Sequence, residues 1–117
     1  MIPDKAKELG RLIGQSDEYG ALKRAQSRVE GAPDLRDKMQ QLRKLAMALE
    51  QQAAQGKAPA ETDVNAYDQL LTTIQADPMY QGVVAAQSNF DKLMLRVNEH
   101  ILEGIDKGAA SPIITLG

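Results

Sequence analysis

The sequence has no cysteine, no tryptophan, one phenylalanine, three tyrosines and a single histidine. Without cysteine there can be no disulfide framework, thiolate zinc site, cysteine-ligated iron–sulfur cluster or cysteine nucleophile. So few aromatic rings leave little for nucleic-acid bases to stack on. Basic charge is not in excess either: fourteen Lys and Arg against sixteen Asp and Glu give a net charge of −2. Together these shortages argue against direct nucleic-acid binding, which draws on a basic domain or stripe. No apolar run approaches the roughly 18 residues of a membrane-spanning helix. The opening Met1-Ile2-Pro3-Asp4-Lys5 lacks the apolar segment of a signal peptide. The expectation is a cytoplasmic protein that does not insert into a membrane.

What is present points to helices. Hydrophobic residues make up 43% and charged residues 26% of the 117 positions, with Ala, Leu, Gln, Lys, Arg and Glu abundant. These residues lose little side-chain freedom in a helix, whereas a sandwich or barrel draws on β-branched and aromatic residues. The length suits one domain. If compact, it would have a folded surface of roughly 6,200 Å².

Turn signals divide the chain into five helical pieces. Ile2, Ala6, Leu9 and Ile13 lie on one helical face, and Gly14 is read as its end. Ser16 can cap the next helix, which runs from Asp17 to Glu30 with a thin apolar row of Tyr19, Leu22, Ala25 and Val29. Gly31-Ala32-Pro33 interrupts it. From Pro33 to Gln55, the positions Leu35, Met39, Leu42, Ala46, Leu49 and Ala53 alternate in steps of four and three, the seam of coiled-coil packing. Gly56 to Pro59 reads as a turn. A fourth piece, Ala60 to Ala76, presents Val64, Tyr67, Leu71 and Ile74. Asp77-Pro78 is an N-cap followed by a first-turn proline. The fifth piece, Pro78 to Lys107, carries a main row of Tyr80, Val83, Gln87, Phe90, Met94, Val97, Ile101 and Ile105. Val84, Leu95 and Leu102 lie off that row. Gly108 is read as the C-terminal cap, which gives a helical domain over residues 1–108 and an extended tail over 109–117.

The pattern predicts an all-α fold: an antiparallel helical hairpin or bundle of about five helices with a long C-terminal helix. Short connections predict that the third and fourth helices pair, and the fourth and fifth also. Pro33 to Lys57 holds five bases and three acids, whereas Ala60 to Asp77 holds four acids and no base. Opposite charge favours the first pairing modestly.

Residue chemistry offers no enzyme. His100 and Glu103 share a helical face, but a di-iron bundle site needs paired Glu-x-x-His motifs, so His100 reads as structural or solvated. Glu99, Glu103 and Asp106 read as a wet helical face. No serine lies in a Gly-x-Ser-x-Gly setting. Hence no catalytic, metal or cofactor residues are assigned. Arg36, Lys38, Arg43 and Lys44 form the best basic patch, interleaved with Asp34 and Asp37. The third helix has a complete apolar seam and the fifth is apolar on more than one side. A lone helical hairpin cannot cover both, which predicts oligomerisation through Leu42, Leu49, Val84, Leu95 and Leu102. In the tail, Ile113, Ile114 and Leu116 are candidates for docking into a groove.

The organisation resembles the YlbF/YmcA family of small helical bacterial regulators. The likeness is carried by Ala6, Leu9-Gly10, Ile13, Ser16-Asp17-Glu18-Tyr19 and Ala25. It continues through the Met39–Leu49 helix, the Gly56 turn and Asp77-Pro78-Met79-Tyr80, and ends with Phe90, Leu93-Met94, Val97, Ile101 and Ile105. The resemblance implies a helical protein that forms dimers or larger oligomers and has no enzymatic activity. It further implies an adaptor in complexes that affect competence, biofilm formation and sporulation, partly by directing an endoribonuclease in mRNA processing. Some such complexes carry cysteine-ligated iron–sulfur clusters, whose ligands this chain cannot supply. The implied partners are a second copy of the chain and another protein. The alternative is an RNA-contacting factor that uses the basic patch.

Overall fold

The computed structural model describes residues 1–110. They form five α-helices: α1 (Ile2–Gly14), α2 (Asp17–Glu30), α3 (Pro33–Ala54), α4 (Glu61–Gln75) and α5 (Pro78–Ala110). No strand occurs among the described residues, and the fold is all-α as the composition predicts.

The helix ends follow local chemistry. The Ser16 hydroxyl accepts from the Tyr19 amide at 3.2 Å and donates to the Ile13 carbonyl at 2.6 Å, so one side chain serves both the end of α1 and the start of α2. Asp77 accepts from the Met79 amide at 2.8 Å and opens α5, with Pro78 at its first position. At the end of α3 the Lys57 amide donates to the Gln52 carbonyl at 2.9 Å, and the Gly56 amide to that of Ala53 at 3.0 Å. This crossed pair needs a left-handed residue, and Gly56 supplies it with φ of 72°.

Gly14 is the last residue of α1, as its sequence reading has it, whereas Gly108 does not end α5, which passes through it to Ala110. Gly108 lacks the left-handed backbone of a glycine cap, which among the described residues only Gly56 has.

Helix α3 pairs with α4 as an antiparallel hairpin. Among the described residues no ion pair links them, despite their opposite charge. The Gln52 side chain does the joining near the turn. Its amide donates to Asp63 at 3.1 Å, and its carbonyl accepts from the Ala60 amide at 3.2 Å. At the other end of the hairpin Leu35 and Ile74 are buried.

Helix α5 packs chiefly on α2 and touches α4 only lightly. The expected close pairing of α4 with α5 is thus replaced by a longer-range one. A short connection fixes where two helix ends meet, not the angle between them. Leu22 and Ala25 of α2 meet Ala86 of α5, with Val83 and Phe90 against them. The alanines let the two helices approach closely, since interaxial distance follows the side chains at the contact. The Tyr19 and Phe90 rings meet, and Arg96 reaches Glu18 at 3.7 Å. These contacts set α2 antiparallel to the first two-thirds of α5.

The result is elongated, with a radius of gyration of 21.8 Å and extents of 69 × 37 × 20 Å. A compact domain of this length would have a radius of about 13 Å.

Candidate interaction surface

The length mismatch between α2 and α5 creates the main surface feature. Helix α2 has 14 residues and α5 has 33, so α2 reaches only as far as Arg96. From Asn98 to Ala110 every residue of α5 is exposed. Ile101 and Ile105, which periodicity places on the main row with Phe90 and Val97, therefore lie in the open. The signal that could have shown this was present: α2 is too short to cover the row to its end.

Leu95 and Leu102 are 60% and 59% exposed, and Val84 is 51% exposed. They share one side of α5, as the heptad spacing of Leu95 and Leu102 requires. Fully burying one such side chain contributes about 1.5–3 kcal/mol, so the row forfeits several kcal/mol in water. Leu42 and Leu49 are placed differently: both are half-buried on α3, beside α4. The five candidates thus fall into two sets, three on the open side of α5 and two within the hairpin. The tail candidates Ile113, Ile114 and Leu116 lie outside the described residues.

Helix α1 adds a second apolar element. Its row is only half covered, with Leu9 and Ile13 half-buried and Ile2 and Ala6 exposed. Ile2, Ala6 and Leu9 line an open cleft against Ile101 of α5, with Met1 and Lys5 at its edge.

The polar features are dispersed. His100 Nδ1 lies 3.5 Å from Glu103, both side chains being solvent-exposed. Among the described residues no three His, Asp or Glu side chains gather in a metal-holding arrangement. Arg36, Arg43 and Lys44 are exposed and Lys38 is half-buried, all on α3. Among the described residues none of the four is in an ion pair. No helix of the described residues is long and apolar enough to cross a membrane.

The chain is similar to known proteins over most of its length. The family described as control of competence regulator ComK, YlbF/YmcA, matches residues 2–106. A UPF0342 protein of Staphylococcus saprophyticus is 23% identical over 104 residues, covering 89% of this chain and 91% of the relative. A UPF0342 protein of Caldicellulosiruptor saccharolyticus is 25% identical over 105 residues, covering 90% and 88%. One from Alkalihalophilus pseudofirmus is 24% identical over 111 residues, covering 95% and 94%. No solved structure matches the chain at a significant level.

Proposed function

The chain belongs to the YlbF/YmcA family of regulators, and from that membership we propose that it is a non-catalytic adaptor acting through helix-mediated oligomerisation and contact with a client protein. The observation that carries this reading is the uncovered apolar row of Val84, Leu95 and Leu102 on α5. Large exposed apolar patches mark protein interaction sites. The surface points the same way: 8,967 Å² is accessible, against roughly 6,200 Å² for a compact chain of this size. The family's printed role, control of the competence regulator ComK, supports a process run by protein contacts.

Capture of the tagged chain from its own host tests the adaptor reading. A second protein should be recovered in near-stoichiometric amount, and nuclease treatment should leave the recovery unchanged. Recovery of no second protein would overturn the client part of the proposal.

A second reading, direct RNA contact, is favoured by the exposed Arg36, Arg43 and Lys44 without ion-pair partners among the described residues. Such binding would weaken steeply as salt rises. Tight RNA binding with that salt dependence, lost in Arg43→Glu, would move the assignment to this alternative.

A further inference from the structure

We propose that the segment Ile113–Leu116 of the same chain folds back along α5 and covers the row that α2 is too short to reach. Ile114 then lies over Ile105, and Leu116 enters the cleft between Ile101 and α1. This is a different side of α5 from Val84, Leu95 and Leu102, so the proposal stands or falls apart from the adaptor reading.

The place needs a cover. Ile101 and Ile105 are 45% and 58% exposed, four residues apart on one helical face. The cleft beside Ile101 is lined by Ile2, Ala6 and Leu9 of α1. That helix has no buried residue and packs chiefly on α2. A segment seated in the cleft touches α1 and α5 together, and so holds α1 in place.

The residues after Ala110 fit in kind. Ser111-Pro112-Ile113-Ile114-Thr115-Leu116-Gly117 holds no Asp, Glu, Lys or Arg, so no charge has to leave water when it docks. Pro112 biases Ser111 away from helix and suits a turn, which puts a chain reversal directly after α5. In an extended segment alternate side chains share one side. Ile114 therefore goes with Leu116, and Ile113 with Thr115.

The register also fits. Ile101 and Ile105 are about 6 Å apart along the helix. Ile114 and Leu116 are about 6.6 Å apart in an extended chain. An antiparallel return thus seats both pairs at once. Ile105 and Ile101 lie about 7.5 Å and about 13.5 Å back from Ala110. The extended chain from Ala110 spans about 13 Å to Ile114 and about 20 Å to Leu116. Both contacts are within reach, with a similar surplus of about 6 Å for the reversal. The short tether gives an effective concentration in the millimolar range, which favours the chain's own segment over that of a second copy at micromolar concentration.

The absence of cysteine makes the contact directly measurable. Ala6→Cys combined with Leu116→Cys places two thiols, one on each side of the cleft, and a disulfide needs their Cα atoms within about 7 Å. Oxidation should close a disulfide within one chain, seen as a faster single-chain band on a non-reducing gel. Amide hydrogen exchange supplies the second measurement. Ile114→Ser and Leu116→Ser should each speed exchange in α1 several-fold, with the α3–α4 hairpin unchanged, whereas Ile113→Ser should leave α1 as it was.

Covalent dimers in place of the internal disulfide would give the cleft to a second copy and overturn the proposal. No disulfide together with unaltered exchange in all three serine variants would leave the segment undocked and overturn it too. An Ile113→Ser effect equal to that of Leu116→Ser would overturn the register. A cleft protected only after a captured client protein is added would make that protein the occupant and overturn the proposal, while the adaptor reading stands.

Discussion

The rings of Tyr19 and Phe90 meet with centroids 5.5 Å apart and planes inclined by 56°. The two residues come from opposite ends of the chain, and their contact joins the first turn of α2 to the middle of α5. Lys23 lies 6.0 Å from the same Tyr19 ring, on the helix turn that follows. Tilted aromatic pairs contribute about 0.5–1.5 kcal/mol beyond the area they bury. A double-mutant cycle with Tyr19→Leu and Phe90→Leu should therefore return a coupling near 1 kcal/mol by urea denaturation. Additive single effects would show that the rings serve only as apolar bulk.

Ile74 is the most deeply buried large side chain described, at 1% exposure. Ile74→Ala removes its contacts at the end of α4 and should cost about 2–5 kcal/mol. Met47→Ala, on an exposed position of α3, should stay within about 0.5 kcal/mol. Thermal melts of the two variants side by side check the contrast.

Gly56 carries the positive φ that closes α3. A Cβ at this position meets no atom within 4 Å, so the cost of Gly56→Ala is conformational, not steric crowding. It should be about 1–2 kcal/mol, the penalty of an L-residue in the left-handed region. Gly56→Asn should recover part of that loss, because asparagine tolerates the region better. Equal melting points for all three proteins would contradict this account of the turn.

Asp77→Ala removes the side-chain acceptor for the Met79 amide and should cost about 1 kcal/mol, the usual loss of an N-cap. Partner capture by the folded protein should be unchanged. A variant with wild-type melting but lost capture would make Asp77 a contact residue and not a joint.

Most of the fold was legible because it is written in local chemistry. Ser16, Pro33, Asp77 and Pro78 mark helix starts, and the periodic apolar rows mark helix bodies, both within a few residues of sequence. The pairing of α5 with α2 was not legible. It depends on Ala25 and Ala86 meeting across about half of the chain, and two alanines look alike whether they touch each other or water. The same distance hid the exposure of Ile101 and Ile105, which match Phe90 in periodicity and differ only in what lies opposite. Of the proposed interface, Val84, Leu95 and Leu102 stood out because they fall off the main row. Leu42 and Leu49 did not separate from ordinary core residues, since a seam facing α4 and a seam facing another molecule have the same spacing.

The α3–α4 hairpin has a consequence for how the chain reaches this structure. Its contacts join residues near in sequence across a short turn, so closing it costs little chain entropy and it can form early. The α2–α5 contact joins distant segments and must close a much longer loop. Once the hairpin is made, the ends of α2 and α5 are held near its base, and the intervening chain no longer has to be gathered by chance. The expected order of assembly is thus hairpin first and long helix second. Damage to the Gly56 turn should slow folding, whereas damage at Ala86 should chiefly hasten unfolding.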